Sequence, residues 1–143
     1  MKVSSRGRYG LKAMADLAMR FGPDYIPLKD IATRQNIPLK YLEQIFGALT
    51  KGGLLTSVKG AQGGYQLAKR PAEIKVLHIL RLLEGRVTES KTINDVTDIE
   101  YSISQVVYKK ADECLLSLLE NISLEDIVIH YKKVNAQNIS FSI

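Results

Sequence analysis

The chain has 143 residues, of which 45% are hydrophobic and 24% charged, a balance typical of one folded domain or of a small domain with an added dimerisation element. No apolar run approaches the roughly 18 residues that a membrane-spanning helix needs, and the amphipathic N-terminus is unlike a signal peptide, so the sequence predicts a cytoplasmic protein without membrane contact. The single cysteine excludes an internal disulfide and a thiolate metal cluster.

The positive charge is concentrated in the first half of the chain. Residues 1–70 contain 12 Lys and Arg against 4 Asp and Glu, a balance of +8, whereas residues 71–143 contain 8 against 11, a balance of −3. This asymmetry favours a polyanionic partner for the first half, although charge alone is equally consistent with a solvated basic surface.

Three helices are predicted in the first half, over about 5–21, over 28–35, and from 39 to a stop at Gly52-Gly53. Asn36 tolerates turn geometry and Pro38 disfavours a helical conformation before it, so the second and third helices are separated by a short break. Two short helices joined in this way predict a helix-turn-helix.

The third helix has the pattern of a recognition helix, because one apolar stripe would hold it while polar side chains remain free to reach base edges. The predicted DNA contacts, including those from the first helix and the wing, are Ser5, Arg6, Arg8, Lys29, Lys40, Tyr41, Glu43, Gln44, Lys51, Lys59 and Gln62. Two alternatives stay open: the start of the first helix could be a solvated helix end, and Glu43 could form a surface ion pair.

A β-hairpin is predicted after the helix-turn-helix, with strands at 54–58 and 65–67 around the loop SVKGAQGGYQL. Glycines beside a lysine also occur in phosphate-binding loops. Here no Lys-Ser/Thr pair follows them, and a strand takes the place of the helix whose N-terminus would receive a phosphate. The loop is therefore interpreted as the turn of a wing.

The second half predicts a helix over 76–83, a linker over 86–101, a long helix over about 102–121, and a capped final helix to about residue 133 followed by a polar tail. The long helix has more apolar surface than a small winged domain can cover, so a second copy of the chain is expected on it. The predicted dimer contacts are Ile103, Val107, Cys114, Leu115, Leu118, Leu119 and Ile122. On this stripe, Cys114 is expected to be a buried, inert thiol in preference to a redox sensor.

The predicted fold class is mainly α with a small β-hairpin: a winged helix-turn-helix domain (1–85), a linker (86–101) and a dimerisation segment (102–143). His78 and His130 have no apparent nucleophile beside them, so no enzyme activity is expected. The leading hypothesis is a sequence-specific DNA-binding transcriptional regulator. The alternative is a winged-helix module that binds proteins and not DNA.

Three runs of sequence resemble the Rrf-type family of bacterial transcriptional regulators: SSRGRYGLKAM at 4–14, YLEQIFGALTKGGLLTSVKGAQGGYQLA at 41–68 and IKVLHILRLLEG at 74–85. The resemblance implies a homodimeric winged-helix regulator whose long C-terminal helices cross at the dimer interface. It also implies that the helix containing Tyr41, Glu43 and Gln44 lies in the major groove and that the basic residue of the wing is Lys59. Because two recognition helices related by a two-fold axis meet two half-sites, the expected partner is a near-palindromic double-stranded operator. A repressor is the expected role.

The chain departs from the cluster-binding members of this family, which have three cysteines after the LLEG helix, because residues 86–113 contain none. The resemblance therefore implies a regulator without an iron–sulphur cluster or other cofactor. The ending Phe141-Ser142-Ile143 is similar to that of the cluster-free cysteine-metabolism repressors, which implies cysteine synthase as a possible partner.

Overall fold

This computed structural model describes residues 1–88 and 90–142, with side chains up to residue 138 except at 89. These residues contain seven α-helices, a short 3₁₀ helix at Pro71–Glu73 and one two-stranded hairpin. In chain order the elements are α1 (Ser5–Met19), α2 (Leu28–Gln35), α3 (Leu39–Lys51), β1 (Leu55–Val58), β2 (Gly64–Leu67), α4 (Val76–Glu84), α5 (Ile99–Ile103), α6 (Lys109–Glu120) and α7 (Leu124–Ser142). The predicted class, mainly α with a small hairpin, is confirmed. The side chains of the ending at 141–143 lie outside the described residues.

Helix α1 begins with a capped first turn that is anchored to the end of α4. The Ser4 hydroxyl accepts a hydrogen bond from the Gly7 N–H at 3.2 Å and donates one to Glu84 Oε1 at 2.6 Å. The helix ends slightly before the predicted boundary at about residue 21. The helix ends at Met19, the last N–H groups turn back to carbonyls three residues earlier, and Phe21 is 51% exposed.

The turn between α2 and α3 has the predicted geometry. Asn36 adopts the left-handed conformation with φ of 53°, and the Ile37 N–H donates to the Ala32 carbonyl at 2.9 Å, which closes the end of α2. The buried Ile37 side chain then fixes the turn to the core. The predicted apolar stripe of α3 is confirmed, since Leu42, Ile45, Phe46 and Leu49 are all fully buried.

The hairpin packs directly on the helix-turn-helix. Strands β1 and β2 are antiparallel, with Leu55 opposite Leu67 and Val58 opposite Gly64. Tyr65 exchanges two backbone hydrogen bonds with Ile26, at 2.8 and 2.9 Å, and its ring lies 4.9 Å from that of Phe46. A side chain at Gly64 would overlap the Ile26 carbonyl, so glycine is required for this close approach.

A continuous helical segment runs from residue 99 to residue 120, with a π turn at Ser104–Tyr108 between α5 and α6. It begins three residues before the predicted start because Asp98 caps it, accepting from the Glu100 N–H at 2.9 Å. Its inner side meets α4 in a second apolar cluster that contains Val76, Leu77 and Leu119.

Helix α7 is longer than predicted and returns to the first domain. It continues to Ser142, well beyond the expected end near residue 133, because the sequence after 133 contains neither proline nor glycine to stop it. Leu124 and Val128 lie in the main core beside α1, so the segment assigned to dimerisation also completes the winged domain. None of the helices in the described ranges is long and apolar enough to cross a lipid bilayer.

Candidate nucleic-acid interface

The outward face of α3 has polar side chains that have no side-chain partner within residues 1–88 and 90–138. Lys40, Glu43, Gln44 and Lys51 are exposed, and none of them is joined to another side chain by a hydrogen bond or ion pair. The alternative ion pair of Glu43 is therefore absent among the described residues, although Lys40, three residues earlier on the helix, is well placed to form one. These side chains are available to an external partner.

The basic residues predicted to meet DNA are not neutralised within the chain. Across residues 1–88 and 90–142 the ion pairs are Arg20–Asp16, Arg34–Asp16 and Arg70–Glu73, and none involves a predicted DNA contact. The excess positive charge of the first half is thus exposed to solvent at those positions, where a polyanion can bind.

The start of α1 lies beside the start of α3. The rings of Tyr9 and Tyr41 are 5.5 Å apart in an edge-to-face arrangement, which brings the two helix N-termini together. Ser5 and Arg8 are exposed and Arg6 is half-buried. Tyr41 is half-buried as well, so its ring contributes to the contact between helices in addition to any contact with bases.

Neither of these two helix starts has an acidic residue in its first turn. The partial positive charge of a helix N-terminus favours carboxylates there, yet the chain places Arg6, Arg8 and Lys40 near these ends. At α1 the Glu84 carboxylate already lies at this end, where it accepts hydrogen bonds from the Ser4 N–H and hydroxyl. The first turn of α3 has no acidic residue of its own and is therefore favourable for an anion such as a phosphate.

The wing presents Lys59 and Gln62 in the exposed loop between β1 and β2. Gly60 has a φ of 113°, a conformation that residues with side chains rarely adopt, so the loop turns sharply at this glycine. Lys29 is exposed in the first turn of α2, three residues after the backbone pairing between Ile26 and β2. Lys29 therefore follows closely after a residue that pairs with a strand of the wing.

A buried carboxylate that the sequence reasoning missed holds α2 against α1. Asp16 is 1% exposed and accepts hydrogen bonds from Arg34 at 2.8 and 3.0 Å and from Gln35 at 2.8 Å, with Arg20 at 3.4 Å. Burial alone would raise the pKa of the Asp16 carboxyl, but the hydrogen bonds from Arg34 and Gln35 and the charges of Arg20 and Arg34 together lower its pKa below the ordinary value. The available sequence signal was an aspartate on the apolar side of α1.

The predicted dimer contacts divide into two groups. Ile103, Val107 and Leu118 are exposed by 36%, 52% and 59%, so they form an unpartnered apolar face on the long helix. Leu119 is only 5% exposed and belongs to the core of its own chain, and Leu115 and Ile122 are half-buried against the same cluster. The side of the helix that faces α4 is therefore already covered.

Cys114 is exposed in the single chain, so its predicted burial depends on the second copy that is expected on this helix. Donors for a metal are sparse elsewhere too: His78 and His130 are exposed, and in the described ranges no three His, Cys, Asp or Glu side chains are grouped as a metal site.

The comparisons with known proteins agree with this geometry. The model of the Rrf2 family, described as iron-dependent transcriptional regulators, matches residues 3–130. The transcriptional regulator IscR of Photorhabdus laumondii is 35% identical over 130 residues, which are 90% of this chain and 79% of that protein. The regulator CymR of Bacillus subtilis is 35% identical over 127 residues, 89% of each chain.

A solved structure of CymR, the global cysteine regulator of Bacillus subtilis, superimposes with a TM-score of 0.81 at 33% identity, covering 91% of this chain and 98% of that one. The matches extend through the helix-turn-helix, the wing and the long C-terminal helix, and they favour DNA binding over a module that binds only proteins. The chain belongs to the Rrf2 family and is a DNA-binding transcriptional regulator with a winged helix-turn-helix.

Proposed function

We propose that this regulator is a homodimeric repressor in which α3 of each subunit lies in a major groove of a near-palindromic operator. The observation that carries the proposal is the outward face of α3, where Lys40, Glu43 and Gln44 are exposed without intrachain partners. Two such helices related by a two-fold axis would meet half-sites about 34–36 Å apart, or a multiple of that distance.

Different residues take different roles in this arrangement. Gln44 and Lys40 suit hydrogen bonds to purine edges, and Glu43 can accept from a cytosine amino group. Ser5 and Arg8 suit phosphates beside the first turn of α1. Lys59 on the wing would meet the adjacent minor groove or its phosphates, with less geometric precision than arginine.

The exposed apolar face of the long helix supports the homodimer. Leu118 is 59% exposed in the single chain. Contact of this apolar face with water is unfavourable, and a second copy packed on it would remove that contact. Leu118→Glu should convert the dimer to a monomer in sedimentation or light scattering, whereas Ser117→Glu, at the neighbouring exposed polar position, should leave the dimer intact. A monomeric wild-type protein at micromolar concentration contradicts the homodimer.

The side chains present do not fit an iron–sulphur cluster, which is held by several cysteine thiolates, because the whole sequence contains one cysteine. We therefore propose regulation without a cluster, and the likeness to the global cysteine regulator CymR favours genes of cysteine or sulphur metabolism, with cysteine synthase as a candidate partner. Protein purified without oxygen should be colourless. Stoichiometric iron and sulphide in it would overturn this part of the proposal.

The decisive experiment for the main proposal is selection of bound duplexes from a random pool by the purified protein. Enrichment of one near-palindromic sequence, together with reduced binding of that sequence by Gln44→Ala, is the expected result. Equal binding of all duplexes would contradict sequence-specific recognition by α3. Regulation of a reporter placed behind the selected duplex then distinguishes a repressor from an activator.

A further inference from the structure

Gly47 occupies an unusual position in the middle of α3. It is exposed, lies well inside the helix Leu39–Lys51, and does not have the positive φ that requires glycine elsewhere in the chain. Glycine is one of the least helix-favouring residues, because it loses more backbone freedom on folding than any other. A glycine retained here therefore needs a reason other than local conformation.

The other two glycines inside helices have such a reason within the chain. A side chain at Gly7 would overlap the Glu84 carboxylate, and one at Gly10 would overlap Leu83, so both allow α1 and α4 to pack closely. At Gly47, by contrast, an added Cβ atom has no neighbour within 4 Å. Nothing in the described part of the chain explains the absence of a side chain at this position.

The direction in which Gly47 points supplies the missing reason. At about 100° per residue, positions 40, 43, 44, 47 and 51 fall within an arc of about 100°, with 47 near its middle. The four fully buried residues of α3, including Ile45 and Leu49, occupy an arc of similar width on the opposite side. Gly47 is therefore at the centre of the face that meets the partner.

We propose that Gly47 is a close-approach position, at which the backbone of α3 lies against the DNA so that the flanking side chains reach the base edges. This inference rests on the proposed placement of α3 in the major groove. A Cβ atom at 47 would hold the helix away from the duplex and lengthen the contacts of Lys40, Glu43 and Gln44 together. Gly47 thus positions the recognition helix without donating a hydrogen bond itself.

Duplex DNA is favoured over a protein partner as the occupant of this face. The residues that surround Gly47 are charged or polar and lack intrachain partners, which is typical of a surface that contacts phosphates and base edges. The apolar side chains that suit a protein partner lie elsewhere, on the long helix at positions such as Val107 and Leu118.

The test uses Gly47→Ala and the duplex that the wild-type protein enriches from a random pool. The variant should melt about 3 °C higher, because alanine favours the helix and has free space, yet it should bind the duplex about tenfold more weakly. Gly47→Ser and Gly47→Leu should weaken binding further in the order of side-chain size. Gly22→Ala, a matched substitution in the exposed turn after α1, should leave binding unchanged.

The outcomes separate this inference from the proposed function. Wild-type affinity in Gly47→Ala, with Gln44→Ala still impaired, overturns the close approach and leaves the placement of α3 intact. Wild-type affinity in both variants contradicts the placement of α3 itself. Weaker binding by a variant whose melting temperature has risen cannot be a folding defect, so that result supports the close approach.

Discussion

Two groups of charges in the first half of the chain behave in opposite ways. Around Asp16, two arginines surround a carboxylate that is 1% exposed, and the group joins α1 to α2. On the outward face of α3, Lys40 and Glu43 are both exposed and form no ion pair, although they are three residues apart on one helix. The first group stabilises the fold, and the second is available for recognition.

This difference shows that net charge overstates the surface that can attract DNA. Of the basic residues that make up the +8 balance of residues 1–70, Arg20 and Arg34 are oriented toward Asp16 and serve the core. Among the residues that the structure describes, no carboxylate forms an ion pair with Arg8, Lys40 or Lys59. Substitutions in the two groups should therefore separate loss of stability from loss of DNA binding.

The largest effect is expected from Asp16→Asn, which removes the buried carboxylate and leaves the partly exposed Arg34 beside a neutral amide. We expect the free energy of unfolding at pH 7 to fall by about 2 kcal/mol, because charged hydrogen bonds to a buried carboxylate are lost. Urea denaturation measures this change in the free energy of unfolding. Glu73→Gln, which removes the exposed pair with Arg70, is the matched control and should leave the midpoint unchanged. Similar shifts of the urea midpoint in both variants would contradict the distinction between the buried ion pair of Asp16 and the exposed pair of Glu73.

Acid should remove part of the same stabilisation. The pKa of Asp16 is lowered in the folded protein below its ordinary value of 3.8, so the interaction is fully present above that value and is lost as the pH falls through the folded pKa. The loss should be smaller than that caused by Asp16→Asn at pH 7, because a protonated carboxyl still forms hydrogen bonds.

The measurement compares denaturation of the wild type and Asp16→Asn between pH 5 and pH 2. The two stabilities should converge as the pH falls, since the other carboxylates with lowered pKa, Glu73, Asp95 and Asp126, are present in both proteins. A constant difference in stability between the two proteins across this pH range would show that the charge of Asp16 contributes nothing to the free energy of unfolding.

On the recognition face, Glu43→Ala should relax the preference for one base pair in each half-site by about 1.5 kcal/mol. Affinity for unrelated duplexes should not decrease, because a carboxylate near phosphates opposes binding. Competition between duplexes that differ at single positions measures the effect. Glu120→Ala, at an exposed glutamate at the end of α6, should leave every preference as it is. If Glu43→Ala discriminates between base pairs as well as the wild type does, Glu43 is a solvated surface residue without a role in recognition.

The smallest change concerns phosphate contact. Arg8→Ala should weaken binding to all duplexes to the same extent and reduce the slope of log affinity against log salt by about one unit, because one counterion fewer is released. Arg70→Ala serves as the control, since Arg70 is exposed and paired with Glu73 away from α3. An effect of Arg8→Ala that differs between duplexes would assign Arg8 a role in reading sequence.

The sequence alone predicted the elements whose signals are local. The break at Asn36 and Pro38, the apolar stripe of α3 and the glycine-rich turn of the wing each depend on a few neighbouring residues, and the structure has all three. The errors also arise from local reasoning. Helix α7 extends past its predicted end near residue 133, because a polar composition does not stop a helix where neither proline nor glycine follows.

Only the tertiary structure decided which side chains meet one another and which meet nothing. The contact of Asp16 with Arg34 joins residues 18 positions apart on different helices, and no periodicity reveals it. The burial of Leu119 and the exposure of Cys114, five residues apart on one helix, depend on where α4 lies. The open space at Gly47 is visible only once every neighbour has been placed. The sequence thus determined the helix-turn-helix and its wing, whereas packing decided which charges hold the fold and which remain for DNA, because burial depends on contacts between distant segments.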